Sequence, residues 1–198
     1  MQPTVVCALT LPSDIIRSGS SAETVFAQAR YYDFWRDVAV DESNPFIGLL
    51  NLFDHADLIV GYNALGFDFP LLKRFYHRKS GTNHPTRRYT AHRAKTLDIF
   101  NRVRDVTGEY FKLDTLLQRN NLAQKTGDGK QAVVMWEKGL RQELCDYCMS
   151  DVVLTAKLAL LPSIQVDQHR SIGAPCVGLR AALSAVPRDG DDEGFVLL

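Results

Sequence analysis

Three side chains in this sequence have types and spacing suited to chemistry on a phosphate or a metal ion. Asp68 closes the stretch Leu58-Ile59-Val60-Gly61-Tyr62-Asn63-Ala64-Leu65-Gly66-Phe67-Asp68, and Tyr147 and Asp151 stand four residues apart. A carboxylate at the edge of a sheet can hold a metal ion or cap the following helix. Residues at i and i+4 of a helix share one face, so Tyr147 and Asp151 present a phenol and a carboxylate together. Two-metal hydrolysis of a phosphodiester needs several carboxylates from different elements around two ions about 4 Å apart, with a nearby donor to orient water. Asp68, Asp151 and Tyr147 are of those kinds. Cys145-x-x-Cys148 is weighed as a zinc or redox motif and set aside. Structural zinc wants two close ligand pairs, no second pair exists, and this pair lies inside a helical pattern.

The elements that must position these groups follow from hydrophobic period. Leu58 to Val60 reads as a buried strand, Gly61 and Gly66 permit a tight turn, and Pro70 suits the first turn of a helix running to about Arg78. Thr4 to Leu9 is a short apolar strand. Ser20-x-x-Glu23 has the form of a capping box, while Tyr31 to Trp35 fits a helix or a strand. Asn44-Pro45 starts a helix with Phe46, Leu49, Leu50 and Phe53 on one face, ending near His55. Ser80 to Arg93 reads as a long polar loop, and Thr96 to Phe100 returns to the sheet. Leu113, Leu116 and Leu117 suggest a short helix, Gly127-Asp128-Gly129 a turn, and Val133, Val134 and Trp136 a further apolar piece. Apolar residues from Leu140 to Leu161 keep a helical period until Pro162. Residues 1–162 are expected as one domain and residues 163–198 as an unstructured tail, with at most a turn or two of helix near Leu179 to Ala185.

A chain of 198 residues, 45% hydrophobic and 23% charged, can bury one real core. Lys+Arg 23 balance Asp+Glu 23, so net charge gives no global attraction to nucleic acid, yet the distribution is uneven. Charged residues from Asp37 to Asp68 are all acidic. Lys73 to Lys95 is all basic, with Lys73, Arg74, Arg78, Lys79, Arg87, Arg88, Arg93 and Lys95. Such a block is either a phosphate-tracking surface or a solvated loop. The opening residues lack a basic start and a long apolar run, and four cysteines without a secretory signal suit a reduced compartment. The expectation is an intracellular, non-secreted protein with no membrane span.

Gly61-Tyr62-Asn63-Ala64-Leu65-Gly66-Phe67-Asp68 resembles the second motif of the DEDD 3'–5' exonucleases, in the Asn-x-x-x-Phe-Asp form of family B DNA polymerase proofreading domains. Tyr147-Cys148-Met149-Ser150-Asp151 resembles their third motif, Tyr-x-x-x-Asp, of the DEDDy branch. Leu113-Asp114-Thr115-Leu116 and the run from Gly127 through Trp136 are similar to stand-alone, polymerase-B-like exonuclease domains. The resemblance implies an α/β fold with an RNase H-like mixed sheet flanked by helices, and a magnesium- or manganese-dependent 3'–5' exonuclease site. It implies Asp68 and Asp151 as metal-binding carboxylates, Tyr147 as the group that orients water, and Asn63 and Phe67 as substrate contacts for the 3' end of a single strand, taken as DNA. Asp98, in Thr-Leu-Asp-Ile, is read as structural.

The family's first motif, Asp-x-Glu on the first and central strand, does not stand upstream of Asp68. Val5-Val6-Cys7-Ala8-Leu9 carries no acid, and the only literal Asp-x-Glu, Asp191-Asp192-Glu193, has no apolar strand before it. Thr4 to Leu9 matches the family's second strand, so the sheet is expected to lack the usual first one. With two carboxylates where four are required, the site is expected to be inactive or nearly so. The alternative is a catalytically inactive remnant of the fold that binds nucleic acid or a protein partner. A missing central strand also exposes two ladders of backbone groups. Thr4 to Leu9 would then have to slide inward, or the chain would fold poorly.

Overall fold

The computed structural model describes residues 4–37, 44–77, 84–124, 129–173, 179–185 and 195–197. Among these, β1 (Val5–Leu11) leads through α1 (Ser13–Arg17) and α2 (Ala22–Phe26) to β2 (Arg30–Trp35), which pairs antiparallel with β1 from Val5↔Trp35 to Thr10↔Arg30. The segment around Tyr31 is therefore strand. The cap of α2 falls one residue later than expected, with the Ser21 hydroxyl accepting from the Thr24 amide at 3.2 Å. Helix α3 (Ile47–His55) then feeds β3 (Leu58–Gly61), and residues 62–67 lead into α4 (Asp68–Tyr76).

The polar stretch expected as a loop is largely helical: α5 spans Pro85–Ala94. Proline at the start presets the first turn, and Arg88 and His92, one turn apart, bury their side chains at 7% and 2% exposure. The stabilising face of α5 is charged rather than apolar, so hydrophobic period could not reveal it. Next come β4 (Thr96–Asp98), α6 (Ile99–Thr107), α7 (Leu113–Arg119), α8 (Gly129–Glu137) and the long α9 (Arg141–Ala159). Val133, Val134 and Trp136 lie on α8, while residues 127 and 128 of the expected turn fall outside the described residues.

After α9 the chain forms a two-stranded sheet of β5 (Ser163–Gln165) and β6 (Ser171–Gly173), the short helix α10 (Leu179–Ser184), and β7 (Phe195–Leu197). This differs from the unstructured tail expected for residues 163–198. Ile164, Val166, Ile172, Leu179 and Leu183 are all buried, enough apolar surface to order the described part of a segment whose composition looks loose.

The five-stranded sheet has the order β2-β1-β7-β3-β4. Strand β7 runs antiparallel to β1, with Leu9↔Leu197 through Leu11↔Phe195, and parallel to β3, with Leu58↔Phe195 through Val60↔Leu197. The inward slide expected of Thr4 to Leu9 does not occur. The C-terminal strand enters between β1 and β3 and pairs both inner ladders, where each unmet buried backbone group would cost about 1–3 kcal/mol. The C-terminal end of β7 lies beside Val60, the edge from which residues 62–67 depart. Asp191, Asp192 and Glu193 lie outside the described residues.

Alternation along the strands sends side chains to two cores. Cys7, Leu9, Leu11, Leu58 and Val60 pack with Val152, Ala156 and Ala159 of α9. Ala8 and Ile59 face the other way, against Leu49, Leu50 and Phe53 of α3 and Phe69, Leu72, Phe75 and Tyr76 of α4. Helices thus cover both faces of a mixed sheet, the expected α/β architecture. No helix among the described residues is long and apolar enough to cross a membrane.

Candidate active site

The turn between β3 and α4 is shaped by one buried carboxylate. Asp98, 2% exposed at the end of β4, accepts hydrogen bonds from the amides of Asn63 and Leu65, each at 2.9 Å, and from the amide of Asn101 at 3.3 Å. It caps α6 and grips the turn with the same two oxygens, the structural role read for it in the sequence. Arg93 of α5 adds a second hold, donating from Nη1 to the Leu65 carbonyl at 3.0 Å. Within the turn the amides of Gly66 and Phe67 both donate to the Asn63 carbonyl, at 3.1 and 2.9 Å. Asn63 adopts φ of 60°, a left-handed conformation that asparagine tolerates better than most residues. A Cβ on Gly66 would stand 2.5 Å from Asn63 Oδ1, so any larger residue here must displace the Asn63 side chain.

Asp68 is the first residue of α4, but it is not the helix cap. Phe67 occupies the cap position and no side chain caps this terminus. An exposed carboxylate at a helix start is normally favoured by the dipole. Here burial and the charge of Asp98 push Asp68 up to about 7, only partly opposed by a hydrogen bond from its own backbone amide. Of the two uses left open by the sequence, capping is the one this geometry does not realise.

Tyr147 and Asp151 are half-buried on α9, which packs against β1 and β3. Cys148, between them in sequence, reports on the assembly. Hydrogen bonding from Cys7 favours its thiolate, while burial and the charges of Asp151 and Asp68 oppose it, and the balance leaves the thiol below its usual range. The charges of both carboxylates reach this one thiol, that of Asp151 from α9 and that of Asp68 from the start of α4. Asn63 lies in the turn before α4, and Phe67 is 52% exposed, an unusual position for a large aromatic ring.

At the start of the same turn, Tyr62 donates from its hydroxyl to the Phe111 carbonyl at 2.7 Å. Its ring meets Phe100 edge-on at 5.8 Å, and Phe100 meets the 71% exposed Tyr110 at 5.7 Å. The sequence reading did not single out this aromatic run, because Phe100 and Tyr110 belong to no motif.

The basic block is largely committed to internal contacts. Arg88 donates to both oxygens of Asp54, at 3.0 and 2.5 Å. Arg93 holds Leu65, and Lys95 donates to the carbonyls of Asp54 and Ala56, at 3.0 and 2.7 Å. Arg74 lies over the Phe75 ring at 4.6 Å. Residues 78 and 79 are outside the described residues.

The sequence resemblance implies two divalent ions at this site. Among the described residues, no three histidine, cysteine, aspartate or glutamate side chains are grouped to hold a metal ion. Asp98 already accepts from three amides, and the two carboxylates that the resemblance implies, Asp68 and Asp151, do not by themselves fit a two-ion centre.

The chain belongs to the RNase H superfamily: the model of that family matches residues 23–161, more than half of the 198 residues. Neither curated proteins nor solved structures gave a match to this chain.

Proposed function

We propose that this member of the RNase H superfamily is a 3'–5' exonuclease-like domain of the DEDDy type. It receives the 3' end of single-stranded nucleic acid, DNA in the first instance, where Asp68 and Asp151 converge, and it holds that end more effectively than it cleaves it. The observation that carries this reading is the state of Asp68. Its carboxylate starts α4 without capping it, at the end of the turn that Asp98 clamps through the Asn63 and Leu65 amides, and burial pushes it up to about 7. Groups held against their solution preference gather where ligands bind.

The remaining roles follow from position. Phe67, exposed at the turn, offers a face for stacking a terminal base, as does the Phe100–Tyr110 pair. Asn63 supports the substrate end from the turn clamped by Asp98. Tyr147, one helical turn before Asp151, is the hydroxyl that orients a water toward the phosphate. A magnesium or manganese ion shared between the carboxylates and a phosphate would supply charge stabilisation. Two carboxylates among the described residues fall short of the set that two-ion hydrolysis needs, so cleavage is expected to be slow or absent. Internal use of Arg88, Arg93 and Lys95 counts against the alternative in which the basic block alone tracks a phosphate backbone.

The test is to incubate the protein with 3'-labelled single-stranded DNA and manganese beside an Asp151→Ala variant. The expected result is that the parent retains the strand and the variant does not, with little digestion in either. Digestion that depends on Asp151 would mean a complete catalytic centre and overturn the expected inactivity. Equal retention by both proteins would remove Asp151 from the site.

A further inference from the structure

Three free thiols meet where α9 crosses β1. Cys7 is on β1 with 1% exposure, and Cys145 and Cys148 lie one turn apart on α9, both half-buried. Cys7 Sγ is 3.9 Å from Cys145 Sγ and 3.7 Å from the Cys145 carbonyl oxygen, to which its thiol donates. The two residues are 138 positions apart in the chain, so a bond between them would close most of the protein into one loop. Zinc is not the natural occupant, because no such group among the described residues is placed to hold a metal ion. Thiols at van der Waals contact on two different elements are suited to another reaction, closure of the sulfurs to a disulfide bond of about 2.05 Å.

We propose that Cys7 and Cys145 form a reversible disulfide when the protein meets a hydroperoxide, and that this bond fixes α9, the helix carrying Tyr147 and Asp151, to the sheet. The inference rests on the thiol geometry and not on the exonuclease reading. Cys145, more accessible than Cys7, attacks the terminal peroxide oxygen once it is deprotonated, although burial pushes its thiol up. An S–O bond forms, the O–O bond breaks, and with hydrogen peroxide the hydroxide released takes up the Cys145 proton as water. The Cys7 sulfur then attacks the Cys145 sulfur, the S–S bond forms and the S–O bond breaks. The hydroxide that departs leaves as water with the Cys7 proton. Two thiols are oxidised and one peroxide is reduced to two waters. A dithiol reductant reverses the bond by exchange. Cys148, hydrogen-bonded from Cys7, is the competing partner.

The experiment treats the full chain with a small excess of hydrogen peroxide, blocks the remaining thiols by alkylation and maps the peptides by mass spectrometry without reduction. The expected product is a crosslinked Cys7–Cys145 peptide, with loss of both free-thiol peptides and their recovery on adding dithiothreitol. The crosslink should survive Cys148→Ser and vanish in Cys145→Ser, a change at a half-buried position whose folding is checked by thermal melting. Amide exchange over residues 141–151 should slow in the oxidised protein. A Cys145–Cys148, Cys7–Cys148 or Cys176 bond as the main product would overturn the assignment, as would sulfinic acid without a crosslink. Unchanged exchange along α9 would overturn the link to the helix.

Discussion

Asp54 on α3 and Asp68 on α4 are carboxylates in helices of the same core layer, and they stand in opposite states. Asp54 is saturated: Arg88 grips both oxygens, and His92 Nε2 lies 2.8 Å from Oδ1. Burial opposes its charge, yet the Arg88 guanidinium and His92 together hold its carboxyl below the usual range. The network continues from His92 Nδ1 to the Tyr76 hydroxyl at 2.9 Å. Burial pushes His92 down to about 4, so near neutral pH a neutral imidazole donates to Asp54 and accepts from Tyr76. Among the described residues no comparable cation acts on Asp68: its charge faces burial and a second aspartate. A residue whose partners are all supplied by the fold reads as structure, and one that the fold disfavours reads as a place kept for a ligand.

The largest effect that would sharpen this contrast is the loss of Arg88. Arg88→Ala leaves Asp54 and Asn51 without their shared donor. It should cost about 2–3 kcal/mol, less than for a fully buried pair because Asp54 is 39% exposed. Urea unfolding measures it, and a cost below about 0.5 kcal/mol would make this network as dispensable as a surface ion pair.

Asp68→Asn should act in the other direction. Because its folded pKa is raised to about 7, the native state keeps a proton that the unfolded chain releases, so this group lowers stability as pH climbs from about 4 to 7. The variant should be more stable than the parent at pH 8, by on the order of 2 kcal/mol, and should gain nothing at pH 4 or below. His92 has the opposite slope. Its depressed folded pKa contributes stability that is complete above about 6.5 and is lost as pH falls toward 4. Paired urea titrations of Asp68→Asn and His92→Gln across pH 4 to 8 should therefore diverge, and parallel curves would erase the distinction between the two regions.

Gly66→Ala should have the smallest effect on stability, about 1 kcal/mol, since its Cβ meets the side chain of Asn63 rather than backbone. Its consequence belongs to the site. Displacing Asn63 should weaken binding of a single-stranded 3' end more than it lowers the melting temperature. Equal binding to parent and variant would take Asn63 out of the substrate contact.

Much of this was open to reading in the sequence because it rests on local pattern. Leu58 to Val60, the 3.6-residue spacing of α3 and the long apolar face of α9 each need only their own neighbours, and the motif turn announces itself through Gly61, Gly66 and Asp68. What escaped depends on partners far along the chain. Helix α5 has no apolar face, and Arg88 and His92 anchor it to Asp54, 34 and 38 residues away. Strand β7 pairs with β1 across nearly the whole chain, and no period in three residues foretells which ladder they fill. Cys7 meets Cys145 only because β1 lies under α9. The pairing of Asp68 with Asp151 is implied by resemblance and not by period, whereas the upward shift of Asp68 comes from its burial and from the charge of Asp98.

The central claim, that Asp68 is kept for a ligand at a nucleic-acid end, is tested most directly by the divalent dependence of binding. Fluorescence anisotropy of a 5'-labelled single-stranded oligonucleotide with a free 3' hydroxyl, with manganese or with chelator, compares the parent with Asp68→Asn at pH 8. The account predicts that manganese tightens binding to the parent and has no such effect on the variant, which binds as well as or better than the parent in chelator because one repelling charge is gone. The same manganese dependence in both proteins would contradict it.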